Sequence, residues 1–105
     1  MTVWKYELPL CRQMQNTGRT TPSFWAGEFG VAVDVRMPRF ARPLHAGEQG
    51  GNLCVWAMVD PTREAVTRRF RVCGTGNPCP DDASRYVGTA TVGPFVWHVF
   101  DEGER

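Results

Sequence analysis

Leu53-Cys54-Val55-Trp56-Ala57-Met58-Val59 is the longest apolar run in the chain. Gly50-Gly51-Asn52 precedes it and Asp60-Pro61-Thr62-Arg63 follows it, and both flanks carry turn chemistry. A run this short, apolar at consecutive positions, has no polar face, so it predicts a central strand covered on each side. It falls well short of the roughly 18 to 20 apolar residues needed to cross a bilayer.

Outward from this strand, the two-residue period dominates. In Val3-Trp4-Lys5-Tyr6-Glu7-Leu8, the residues Trp4, Tyr6 and Leu8 share one face and Lys5 and Glu7 the other, the pattern of a half-buried strand. Val31 to Met37 alternates in the same way, with Val31, Val33, Val35 and Met37 inward, until Pro38 stops it. Residues 43 to 49 predict a strand leading into a hairpin turn at Gly50-Gly51-Asn52. From Thr67 to Cys73, Arg68, Phe70 and Val72 point one way and Arg69 and Arg71 the other, before Gly74-Thr75-Gly76-Asn77-Pro78 breaks the pattern. Tyr86 to Val92 and Phe95 to Phe100 flank Gly93-Pro94 as a last pair of strands. Helical periodicity is weak. Pro61 to Thr67 allows one or two turns, and Asp81-Asp82-Ala83-Ser84 a short turn capped by Asp81. The fold class expected is all-β: one small domain over residues 1–102, of six or seven mostly antiparallel strands in a sandwich or partly open barrel, with a flexible tail at 103–105. Trp4, Trp56, Trp97, Phe70 and Val99 are expected in its core.

The 105 residues suit one domain. Twelve Lys and Arg against eleven Asp and Glu give a net charge of +1, which supplies no global field for nucleic acid. The basic residues are nonetheless unusual, since Lys5 is the only lysine and the rest are arginine. GC-rich coding is one explanation; bidentate recognition of carboxylate or phosphate is the other. The opening MTVWKYELPL holds Glu7 within its apolar stretch and has no basic lead, so no secretory signal is expected and the protein is read as intracellular. In that compartment Cys11, Cys54, Cys73 and Cys79 are expected as thiols. Their spacing lacks the paired close ligands of a zinc site, and no metal or other cofactor is expected.

Residues 11 to 30, CRQMQNTGRTTPSFWAGEFG, lack alternation and form a long loop between the first two strands. Phe24, Trp25 and Phe29 in this loop either fold back onto the core or anchor a partner. Arg36, Arg39 and Arg42 gather where the second strand exits, Arg69 and Arg71 share one strand face, and Arg85 precedes another strand. Either they converge into a guanidinium surface, or they line a solvated face with cross-strand partners such as Asp34 and Glu7.

Catalytic constellations are sparse. His45 and His98 are the only imidazoles, and His98 by alternation shares a face with Val96 and Phe100, a setting that favours a hydrogen-bonded histidine over a general base. Gly74-Thr75-Gly76 lacks the Lys-Ser/Thr of a P-loop. Asp81-Asp82 and Asp101-Glu102 lack the spacing of a calcium loop. No enzyme is expected.

Several segments resemble a family of small proteins of unknown function encoded by tailed bacteriophages, especially those of actinobacteria. They are Trp4-Lys5-Tyr6-Glu7-Leu8, Gly50 to Pro61 with its L-C-x-W-A-x-V-D-P strand, Arg68 to Gly76, Arg85-Tyr86-Val87-Gly88-Thr89 and Phe95-Val96-Trp97-His98-Val99-Phe100. Relative to shorter members, 11 to 30 reads as an insertion; Asn77 stands where a histidine is expected, and Cys79 where an aliphatic residue is. The resemblance implies phage origin and residence in the host cytoplasm, and carries no activity with it. The function expected is a non-enzymatic phage accessory protein that binds and modulates a host macromolecule, most plausibly a host protein. Phe24, Trp25, Phe29, Arg36, Arg39, Arg69 and Arg71 are the candidate binding residues. A nucleic-acid or nucleotide-binding module, and a self-assembling structural protein, stand as alternatives. No membrane partner is expected, and monomer and homodimer both remain open.

Overall fold

The computed structural model describes residues 1–9 and 30–105. Among these, seven strands form two antiparallel sheets. The strands are β1 (Thr2–Leu8), β2 (Val31–Pro38), β3 (Arg42–Gln49), β4 (Asn52–Val59), β5 (Ala65–Gly74), β6 (Tyr86–Val92) and β7 (Phe95–Glu104). One sheet has the order β1-β4-β3, the other β2-β5-β7-β6. The fold is all-β, a two-layer sandwich in which neither sheet closes on itself.

The deciding apolar run is β4, in the middle of the three-stranded sheet as expected, but it is fully covered on one face and not on both. Leu53, Val55, Ala57 and Val59 are fully buried on one face. They meet Phe70, Val72, Trp97 and Val99 from the centre of the other sheet, and this interdigitation of two apolar faces is the main stabilising term of a sandwich. On the opposite face of β4, Cys54 is buried but Trp56 and Met58 are half-exposed. Trp56 lies beside His45, ring centroids 5.8 Å apart. It belongs to the outer surface and not to the core expected for it. Trp4 is a larger correction. It is 41% exposed, while Leu8 on the same face of β1 is buried and Tyr6 intermediate. Burial fades along this edge strand from Leu8 towards Thr2. Trp97, Phe70 and Val99 are core residues as alternation predicts.

Turn chemistry sets the register. β3 and β4 are joined by Gly50-Gly51, with Gln49 opposite Asn52, and both glycines take positive φ (62° and 84°). A two-residue hairpin turn with that backbone twist matches the twist of its strands, and only glycine adopts it twice without cost. The sheets approach most closely where β6 crosses β3: a Cβ on Gly88 would stand 2.8 Å from the Ala46 amide nitrogen. The region allowed one or two helical turns, Pro61 to Thr67, is instead an Asx turn followed by β5. The Asp60 carboxylate accepts from the Thr62 amide at 3.0 Å. A single 3-10 turn, η1 (Ala83–Arg85), is capped by Asp82, one residue later than expected, its carboxylate accepting from the Ser84 amide. β7 runs through Glu104, and the Arg105 amide donates to the Thr67 carbonyl at 2.8 Å. The residues expected as a tail from 103 therefore continue the sheet.

Candidate functional site

Phe24, Trp25 and Phe29 lie outside the described residues. The arginine candidates lie within them, and the ladder register decides their state. Asp34 of β2 stands directly opposite Arg69 of β5, and the two form a forked pair at 2.8 and 3.1 Å. The bonded Arg69 guanidinium holds the Asp34 carboxyl below its ordinary range. Arg71 grips Glu102 of β7 with two contacts of 3.1 Å. Arg39 meets Glu64 at 2.9 Å. Arg36 is bound to the Thr67 hydroxyl and the Ala65 carbonyl. Arg69 and Arg71 therefore form cross-strand pairs, the second of the two arrangements the sequence allows, with Asp34 as one partner and Glu102 in place of Glu7; Arg39 pairs with Glu64 beside the strand ends, and Arg36 is held by neutral groups. They do not converge on one free guanidinium surface.

The turn between β2 and β3 has a different character. Pro38-Arg39-Phe40-Ala41 closes with an amide of Ala41 donating to the Pro38 carbonyl at 3.2 Å. Phe40, its third residue, has φ of 66° and is the only non-glycine residue at positive φ among those described. Such turns ordinarily place glycine or asparagine there, and a non-glycine residue in this region costs about 1 to 2 kcal/mol. The backbone is held in place by long-range bonds: the Arg39 amide donates to the Glu64 carbonyl at 2.7 Å, and the Phe40 amide to the Glu104 carboxylate at 2.6 Å. Phe40 as a whole is 64% exposed. The guanidinium groups of Arg39 and Arg63 lie 5.8 and 5.3 Å from its centroid, which fixes its orientation at the surface.

Two clefts share Tyr86 as a wall. One, of about 270 Å³, is lined by Cys73, Gly74 to Asn77, Cys79, Tyr86, His98 and Phe100. His98 Nε2 lies 2.7 Å from the Thr75 hydroxyl and Nδ1 2.9 Å from the Thr89 hydroxyl, which in turn bonds the Tyr86 hydroxyl. Both imidazole nitrogens are thus satisfied by neutral hydroxyls, and no carboxylate orients the ring. Burial pushes the Cys73 thiol up to about 11, so it holds almost no thiolate near neutrality. Cys79 is exposed at the rim of the cleft. The other cleft, of about 260 Å³, lies where β3 meets β6 and is lined by Arg42, Arg68, Arg85, Tyr86 and Asp101 among others. Among the described residues, no group of three His, Cys, Asp or Glu side chains is placed to hold a metal ion, and no helix is long and apolar enough to cross a membrane.

A β-sandwich with an outer face of paired charges, one strained exposed aromatic and two small surface clefts defines no catalytic class. By sequence the chain belongs to a family described as a domain of unknown function, DUF7352, whose model matches residues 29–105. The match takes in β2 to β7 and leaves β1 and most of the 11–30 segment outside. No curated protein and no solved structure matches the chain.

Phe40 was not among the candidates that sequence reasoning selected. Pro38 and Pro43 frame it as turn punctuation, but nothing in the local pattern states that the aromatic falls on the left-handed position. A large apolar residue inside the Pro-Arg-Phe-Ala-Arg-Pro stretch was the available signal.

Proposed function

We propose that this protein is a non-enzymatic phage accessory protein that binds a host protein in the host cytoplasm, with the Phe40 turn as its contact point. Phage origin is supported by the segments that resemble actinobacteriophage proteins. The observation that carries the binding reading is Phe40 itself. A phenylalanine held at φ 66°, 64% exposed and pinned through its amide to Glu104, is an arrangement that favours presentation over packing. Rigid aromatic anchors flanked by arginine are the residue types that dominate protein–protein contacts. The paired state of Arg69 and Arg71 favours a protein partner over nucleic acid, because a guanidinium already matched to a carboxylate releases few counterions on meeting phosphate. The satisfied His98 and the raised Cys73 thiol favour a non-enzymatic role.

The test is affinity capture from lysate of the cells in which the protein is made, comparing wild type, Phe40→Asn and Val3→Ser. Val3 is exposed on edge strand β1 and serves as the control. A specific protein retained by wild type and Val3→Ser but lost with Phe40→Asn supports the reading. Equal retention by all three, or retention of nucleic acid alone, contradicts it.

A further inference from the structure

We propose that the cleft at the β3–β6 junction is a binding site for a phosphomonoester of a small organic molecule, held by Arg42 and Arg85 with Tyr86 as the wall for its organic part. This goes beyond the protein-binding reading and stands on separate observations.

The first is charge. Three arginines, Arg42, Arg68 and Arg85, line the cleft, with Asp101 the one acidic residue among its lining. Arg68 uses all three of its nitrogens: Nε and Nη2 bond both Asp101 oxygens at 3.0 and 2.6 Å, and Nη1 donates to the Ala41 carbonyl at 2.6 Å. Asp101 is thereby neutralised, and the cationic character of the cleft falls to the other two arginines. Arg42, at the start of β3, is exposed and has no acidic partner among the described residues. Arg85, in η1, donates to the Asp101 carbonyl at 3.2 Å, and its ion pair with Asp82 is long, at 3.5 Å, and half-exposed. Among the other described arginines, Arg36 is the one that likewise lacks an acidic partner, and its guanidinium is bonded to the Thr67 hydroxyl and the Ala65 carbonyl; the rest each have a carboxylate partner.

The second observation is placement. Arg42 comes from one sheet and Arg85 from the turn that opens the other, so the two approach the cleft from different elements. A carboxylate is matched by one planar fork, as Arg68 and Asp101 already show; a phosphate monoester presents three free oxygens and accepts from two separate guanidinium groups. The third is size. A volume of about 260 Å³ exceeds what an inorganic anion fills. Tyr86 lines the same cleft; the residue is 49% exposed and its ring makes an edge contact with Phe100, centroids 5.7 Å apart. An exposed, braced aromatic ring beside a cationic pair suits a planar organic group.

Isothermal titration calorimetry at low ionic strength, with phenyl phosphate, inorganic phosphate and benzoate as probes, tests the proposal. Wild type should bind phenyl phosphate saturably, and about tenfold more weakly in Arg42→Gln, the loss expected for one charge-assisted hydrogen bond. Arg36→Gln, which removes an arginine outside the cleft, should bind as wild type does. Tyr86→Leu should weaken phenyl phosphate and leave inorganic phosphate unchanged. Melting curves of Arg42→Gln should overlay wild type, since no bond of the fold is removed. Absence of saturable phenyl phosphate binding, equal binding by Arg42→Gln, or benzoate binding as tightly as phenyl phosphate would overturn the site. An equal effect of Tyr86→Leu on both phosphates would overturn the organic wall.

Discussion

Arg68 on β5 and Asp101 on β7 form a forked ion pair whose third guanidinium nitrogen donates to the carbonyl of Ala41, the last residue of the Phe40 turn. One half-buried side chain therefore ties two strands of the four-stranded sheet to the loop that carries the exposed aromatic. Both partners are mostly shielded, at 13% and 20% exposure. Asp101→Ala should accordingly cost about 2 to 3 kcal/mol, above an exposed pair and below a fully buried one. Asp34→Ala, which removes the exposed partner of Arg69, should cost clearly less than Asp101→Ala, because solvent screens that pair. Urea denaturation of the two variants checks the ordering; equal losses would contradict it.

The same pair gives an acid limit to stability. Burial alone would raise the Asp101 carboxyl, but the bonds from Arg68 and the Gly103 amide, with the charges of Arg68 and Arg85, outweigh it and hold the group below its ordinary 3.8. A depressed folded value means that the contribution is complete above 3.8 and is lost as pH falls from there through the folded value. Asp101→Asn should flatten the loss of melting temperature in that window. A wild-type profile and a variant profile of the same shape would contradict the assignment.

Burial also predicts thiol behaviour. Cys73, pushed up to about 11, should resist iodoacetamide in the native protein at pH 8, whereas exposed Cys79 should react promptly. Because the folded value lies above the ordinary 9.0, the Cys73 contribution is present below pH 9 and is lost as pH rises toward 11. Peptide mass mapping after short labelling reads the order directly. Labelling of Cys73 at the rate of Cys79 would contradict it.

The two tryptophans on adjacent layers separate core from surface. Trp97→Ala should cost about 3 to 5 kcal/mol, as a buried large-to-small change does. Trp56→Ala, on the half-exposed face beside His45, should cost about 1 to 2 kcal/mol. Chemical denaturation of both variants checks the difference, and a reversed order would contradict the assignment of faces.

Alternation carried the strands, because side-chain period and burial are local properties: Val33 and Met37 fall inward as their spacing requires, and the unbroken apolar run of β4 marks the middle of a sheet. What lay beyond the sequence is non-local. Trp4 follows the same alternation as Leu8, yet it is exposed where Leu8 is buried, and alternation alone does not tell the two apart. Arg69 and Arg71 read equally as a patch or as paired charges until the register sets Asp34 and Glu102 beside them. The positive φ of Phe40 is imposed by bonds to Glu64 and Glu104, which lie remote in sequence.

The proposed contact role of Phe40 requires that its left-handed conformation contribute little to folding. Denaturant unfolding of Phe40→Asn tests this most directly, since asparagine tolerates that backbone region without the ring. Relief of the backbone cost should offset the lost contacts with Arg39 and Arg63, so the stability should stay within about 1 kcal/mol of wild type. A loss of more than about 2 kcal/mol, approaching that of a core phenylalanine, would make Phe40 a structural residue and contradict the account.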